Sequence, residues 1–115
     1  MARVLIVEPH ADIRSLLELV VRRLGHEPLV HASGPVDVAA VDAAVIEPGE
    51  GAGLPVAREL KTAGVPVLFT SIFPADREAL DLEPTAYLVK PFPLYALEAA
   101  LAVALGAAPA QAASL

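Results

Sequence analysis

Residues 3–25 read R-V-L-I-V-E-P-H-A-D-I-R-S-L-L-E-L-V-V-R-R-L-G. The pattern changes once along this stretch. Arg3 to Val7 is a compact apolar run with β-branched residues, the pattern of a strand covered on both faces. Pro9 closes it. From Ala11 to Leu24 the apolar positions are Ile13, Leu16, Leu17, Val20, Val21 and Leu24. Steps of three and four give one helical stripe, with Asp12, Arg14, Glu18, Arg22 and Arg23 on the polar side. Gly25 is placed as the C-cap.

The same alternation runs through the rest of the chain. Glu27 to His31 is a weaker second strand, followed by a Ser33-Gly34-Pro35 turn. Val36 to Val41 reads as a short helix or an irregular connection. Ala43 to Ile46 is an apolar third strand, and Pro48 to Gly53 a glycine-rich loop. Leu54 to Thr62 is helical and ends at Ala63-Gly64. Val65 to Thr70 is a fourth strand, with Pro66 tolerated near its start. Pro74 to Leu80 is a short helix with proline in its first turn. Ala86 to Val89 is the fifth strand, and Leu94 to Leu105 an Ala/Leu helix. Five strands alternating with five helical segments imply an open parallel α/β sheet with helices on both faces. The sequence organises as one domain over residues 1–106, with residues 107–115 an Ala/Pro-rich tail or linker start.

Composition narrows the function. The chain has 115 residues, no Cys, and a net charge of -6 from 8 basic and 14 acidic residues. Thiol chemistry and a Cys-ligated zinc site are excluded, and an acidic balance argues against nucleic-acid binding. The first residues are too soon charged for a signal peptide, and no apolar run reaches the length of about 18 residues that a membrane span needs. The expected location is the cytoplasm.

In parallel sheets of this kind the functional crevice lies at the carboxyl ends of the strands. Those ends carry Glu8-Pro9-His10, Glu47-Pro48-Gly49, Thr70-Ser71 and Lys90-Pro91-Phe92. Two carboxylates, two hydroxyls and one ammonium are expected to converge there.

These residues resemble a response-regulator receiver domain over about residues 3–105. The segment Tyr87-Leu88-Val89-Lys90-Pro91-Phe92 is the most specific match: an aromatic three before a lysine, then Pro-Phe, usually joined through a cis peptide. Val67-Leu68-Phe69-Thr70-Ser71 matches the strand that ends in a hydroxyl and a small residue. The resemblance implies a flavodoxin-like, doubly wound sheet in the order 2-1-3-4-5. It also implies a role in two-component signalling, a histidine kinase or effector as protein partner, and Thr70 and Tyr87 as switch-like residues. Ordinary receivers hold Mg²⁺ on three carboxylates. One of these, an Asp ending the third strand, accepts a phosphoryl group that the hydroxyl and the lysine stabilise.

The sequence departs from that pattern at the acceptor, where Glu47 stands, and in the acidic pair, where Glu8 and Pro9 stand. Thr70, Tyr87, Lys90, Pro91 and Phe92 keep it. Mg²⁺ requires octahedral oxygen ligands at about 2.0–2.1 Å, so losing one carboxylate and lengthening two others weakens the site. Phosphoryl transfer depends on in-line positioning and metal neutralisation. No catalytic residue, no metal ligand set and no cofactor are therefore expected, and Mg²⁺ binding is expected to be weak or absent. Lys90 is the expected partner of Glu47. That pair reads either as a built-in mimic of phosphorylation or as a plain ion pair ending the sheet, and the second fits the modest charge of a carboxylate better.

Other residues carry blander readings. His10 reads as a loop residue, and His26 and His31 as surface. Gly49, Gly51 and Gly53 match no phosphate-binding spacing and read as a flexible connection. The surplus of apolar residues on the last helix points to an interface, with a homodimer through that helix and the fifth strand as one form. Two further functions stand beside the phosphorylation-independent, non-enzymatic module. One is a receiver phosphorylated on another acid, Asp12 or Asp42. The other is a small-molecule-binding doubly wound domain built on Glu8, Glu47, Thr70 and Lys90.

Overall fold

The computed structural model describes residues 1–49 and 51–106. The elements are β1 (Arg3–Val7), α1 (Ala11–Arg23), β2 (Glu27–Val30), a 3₁₀ turn (Val38–Ala40), β3 (Ala43–Ile46), α2 (Gly53–Thr62), β4 (Val67–Ser71), α3 (Arg77–Leu80), β5 (Ala86–Val89) and α4 (Leu94–Ala104). The strands form one sheet in the order β2-β1-β3-β4-β5, with every neighbouring pair parallel. This is the flavodoxin-like order the sequence reading expects. The expected tail, residues 107–115, lies outside the described residues.

The apolar runs explain the layers. β1, β3 and β4 are central, and apart from Arg3 their residues are buried on both faces. On one face Val4, Ile6, Val45 and Leu68 pack against Leu17, Val20 and Val21 of α1 and Leu97, Ala100 and Leu101 of α4. On the other, Leu5, Val7, Ile46, Val67 and Phe69 pack against Val56, Ala57 and Leu60 of α2 and Ala79 of α3. β2 and β5 are the edges and are only partly covered. An edge is also where Pro28, which cannot donate to a ladder, is tolerated.

Several boundaries differ from the sequence reading, each for a local reason. Five helical segments become, among the described residues, four α-helices and one 3₁₀ turn. The stretch Val36 to Val41 forms no α-helix. It makes a single tight turn at Val38–Ala40, capped by the Asp37 carboxylate, which accepts from the Ala39 N–H at 3.2 Å. α3 starts at Arg77 rather than Pro74, because Asp76 is its N-cap and accepts from the Ala79 N–H at 2.8 Å. β4 begins at Val67, after Pro66, and runs on to Ser71. Leu16, read as part of the buried stripe of α1, is 45% exposed; Leu17, Val20 and Val21 carry the contact. Gly25 ends α1 as expected. At φ +87° it lets the Gly25 and His26 N–H groups turn back to Arg22 and Val21 carbonyls.

Candidate functional site at the carboxyl edge of the sheet

Strand alternation places the site. Ile6, Val45, Leu68 and Leu88 belong to the core face covered by α1 and α4. Two residues further along each strand stand Glu8, Glu47, Thr70 and Lys90, which continue that face beyond the end of the apolar core. The ladder reaches up to them, since the Glu47 N–H donates to the Val7 carbonyl at 2.8 Å and the Lys90 N–H to the Ser71 carbonyl at 2.7 Å. The Lys90–Pro91 peptide is cis, as the resemblance implies.

Three of these side chains converge. Lys90 Nζ lies 2.7 Å from Glu8 Oε1 and 3.4 Å from Glu47 Oε2. The Glu8 side chain is 0% exposed, that of Glu47 6% and that of Lys90 11%. β3 and β4 stand between β1 and β5, and neighbouring strands are about 4.8 Å apart. Only long side chains span that gap, which is why a glutamate at position 8 can meet a lysine at position 90. The expected partner of Lys90 was Glu47. The shorter contact is with Glu8, because Glu47 is also drawn towards its own loop.

The remaining oxygens are held by backbone. Gly49 N–H donates to Glu47 Oε1 at 2.7 Å, and His10 N–H donates to Glu8 Oε2 at 3.2 Å. Arg14 Nη1 donates to the Glu8 carbonyl at 3.0 Å, which brings a second cation to the end of β1. Buried carboxylates persist where they are paired and hydrogen-bonded in this way. Pro9 is exposed and offers no donor or acceptor side chain.

The hydroxyls do not meet as expected. Thr70 and Tyr87, the expected switch-like pair, lie on opposite faces of the sheet. Tyr87 pairs in register with Phe69 and packs on the core covered by α2 and α3, whereas Thr70 pairs with Leu88. The hydroxyl on the Tyr87 face belongs to Ser71. Ser71 Oγ accepts from the Phe73 N–H at 3.1 Å, and the Tyr87 hydroxyl donates to the Phe73 carbonyl at 3.0 Å. Tyr87 is thus tied to the β4–α3 connection. Its ring meets Phe69 edge-on at 6.1 Å. Thr70 is 1% exposed, and its Oγ1 has no hydrogen-bond partner among the described residues.

The glycine loop also differs from the flexible connection read in the sequence. Gly49 supplies a donor to Glu47. A Cβ on Gly53 would lie 1.9 Å from the Glu47 carbonyl oxygen, so α2 starts in direct contact with the end of β3. Sequence reasoning missed Arg14 as a site residue, read Gly49 only as part of a flexible connection, and expected Ser71 to converge with the carboxylates, whereas its hydroxyl accepts from the Phe73 N–H on the other face. The only signal for Gly49 was its position two residues after an acid, the spacing of a side-chain-closed turn. Asp42 accepts from the Arg3 N–H at 2.7 Å at the far, amino end of the sheet.

The donor set does not suit the Mg²⁺ that the resemblance implies. Two carboxylates are present, and each oxygen already meets a donor, two of them the Lys90 ammonium. Among the described residues no group of three His, Asp or Glu side chains could hold a metal ion. Nor is any described helix long and apolar enough to cross a membrane.

No family model matches the chain, and no curated protein matches it. Solved structures do. A response regulator receiver protein from Burkholderia phymatum is 24% identical, with a TM-score of 0.77 over 92% of this chain and 96% of that one. Vibrio cholerae chemotaxis protein CheY4 is 22% identical, with a TM-score of 0.76 over 91% of this chain and 99% of that one. The receiver domain of sensor histidine kinase PA1611 from Pseudomonas aeruginosa, solved with magnesium in its cleft, is 24% identical, with a TM-score of 0.72 over 91% and 98% of the two chains. The chain has the fold of a response-regulator receiver domain.

Proposed function

We propose that the domain is a phosphorylation-independent, non-enzymatic receiver that signals by binding a protein in a two-component-type pathway. The observation that supports this most directly is the Lys90 ammonium held between two buried glutamates, with proline where a second acid would stand. An ordinary receiver needs that lysine for the incoming phosphoryl group and the carboxylates for a metal. Here the lysine and the two carboxylates are paired with one another. Glu47 spends one oxygen on Gly49 and the other on a lysine closer to Glu8, which favours a structural ion pair over a mimic of phosphorylation. The Tyr87 hydroxyl, bonded to the Phe73 carbonyl, favours a fixed orientation over a switch.

The partner is a histidine kinase, an effector or another signalling protein in the cytoplasm. Thr70 is too deeply buried to touch it. Ile72 and Phe73, the two residues that follow the end of β4, are large apolar side chains 60% and 61% exposed. Leu94, Tyr95 and Val103 leave an apolar outer side on α4, and self-association through α4 and β5 is one use for it.

The test is to incubate the protein with Mg²⁺ and a small phosphodonor and to read its intact mass. No added phosphoryl group is expected under conditions that modify an ordinary receiver. A stoichiometric adduct would sink the reading.

A further inference from the structure

We infer that the cleft between α1, the residue after β4 and the start of α4 is a binding site for a small, uncharged, apolar molecule of one or two fused or linked rings. The cleft does not include the glutamates, so binding there neither requires nor excludes phosphorylation.

Ile13, Leu16 and Leu17 of α1, Ile72 after β4, and Phe92 and Leu94 at the entry to α4 wall a cavity of about 380 Å³. Leu17 is 2% exposed and fixes one wall in the core, whereas Leu16, Ile72 and Leu94 are 45%, 60% and 41% exposed. Apolar residues scattered singly over a surface are ordinary; three from separate stretches of chain that border one concavity mark a place for a ligand. Charge selects its class. The one charged side chain in the lining is Lys90, and its ammonium is already matched by Glu8 and Glu47 at 2.7 and 3.4 Å. An anion in the cleft would approach two buried carboxylates and a cation would approach the ammonium, so a neutral occupant is the complementary one. Dimensions select its size. Ligand cavities hold about 300–1,000 Å³ and are mostly apolar with few polar groups. Along α1 the lining runs only from Ile13 to Leu17, roughly 6 Å at about 1.5 Å per residue. A docked helix needs anchors over about two of its turns, roughly 11 Å, and a protein partner buries about 800 Å² on each side. The cleft therefore suits a compact molecule better than a helix or a second copy of the chain.

The experiment titrates N-phenylnaphthylamine, an uncharged probe that fluoresces in apolar surroundings, into the full chain and its Leu16→Arg, Ile72→Asp and Val103→Asp variants. Anilinonaphthalene sulfonate, the same rings with a negative charge, is titrated in parallel. Wild type is expected to saturate at one neutral probe per chain with a Kd on the order of 10–100 μM, the affinity apolar contact gives a ligand of this size. Leu16→Arg and Ile72→Asp are expected to weaken binding at least tenfold. Val103→Asp, on an exposed residue outside the lining, is expected to leave it unchanged, and the sulfonate to bind wild type at least tenfold more weakly. Circular dichroism checks each fold, and Ile72→Asp, which lies outside any helix or strand, carries the test if Leu16→Arg does not fold. Binding that never saturates, or that Val103→Asp weakens as much as Ile72→Asp, overturns the inference. A sulfonate that binds as well as the neutral probe overturns the class of ligand. Sedimentation that shows wild-type dimers and Ile72→Asp monomers gives the cleft to a second copy and overturns it too. A phosphoryl adduct in the mass experiment would instead overturn the functional reading and leave the cleft as it is, so the two failures are distinct.

Discussion

Gly53→Ala tests how the end of β3 is held. Gly53 opens α2 with no positive φ, so alanine is acceptable there on backbone grounds. In an exposed helix the change would favour the fold by about 0.8–1 kcal/mol. The packing argues the opposite. The added Cβ would lie 1.9 Å from the Glu47 carbonyl oxygen, 2.9 Å from its carbon and 3.2 Å from Ile46 Cγ2. Real Cβ contacts stay beyond 3.0 Å, and the obstacle here is backbone that cannot rotate away. Either α2 or the end of β3 must move by more than an ångström. Overpacking a tight site costs typically 1–3 kcal/mol, and backbone displacement puts this case at or beyond the top of that range. After the helix gain, a net loss of about 2 kcal/mol or more remains, which lowers the melting temperature by about 8–16 °C. Urea and thermal denaturation of wild type and variant measure it. Gly64→Ala is the comparison, since Gly64 has φ +81° with nothing within 4 Å of a Cβ, and strain alone costs about 1 kcal/mol there. A Gly53→Ala variant as stable as wild type, or less affected than Gly64→Ala, would refute the claim that α2 is seated on the Glu47 carbonyl.

Further expectations concern single side chains. Lys90→Met is expected to lose about 3–5 kcal/mol in urea denaturation, because both buried glutamates lose their partner; Glu8→Gln in the same background recovers part of it. Thr70→Val is expected to hold or raise stability by up to about 1 kcal/mol, since it removes a buried hydroxyl with no partner; a clear loss would mean that the hydroxyl is satisfied. Tyr87→Phe is expected to cost about 0.5–1 kcal/mol and to speed amide exchange in the β4–α3 connection, which the Tyr87 hydroxyl ties down through the Phe73 carbonyl. Phe69→Ala is expected to cost about 3–5 kcal/mol, because the ring is fully buried beside Tyr87.

What the sequence determined follows from periodicity and from chain order. Apolar runs as short as Val4–Val7 and Ala43–Ile46, bounded by turn residues, read as strands covered on both faces, and the stripe of α1 needs a face to bury. Parallel strands expose their carboxyl ends together, so Glu8, Glu47, Thr70 and Lys90 were legible as neighbours before any coordinate. Short segments were less legible. Val36 to Val41 and Pro74 to Leu80 carry fewer than two helical turns, and single caps at Asp37 and Asp76 decided their form.

The tertiary structure decided which partners those neighbours choose. Lys90 reaches Glu8 across two intervening strands, a contact between residues 82 positions apart that depends on side-chain reach and sheet twist together. The separation of Thr70 from Tyr87 needed the register of β4 against β5. A one-residue step along a strand moves a side chain to the other face, and the sequence motif tolerates either of two adjacent hydroxyls. The roles of Gly49 and Gly53 lay in backbone atoms, one N–H and one close approach, and a missing side chain leaves no pattern in a sequence.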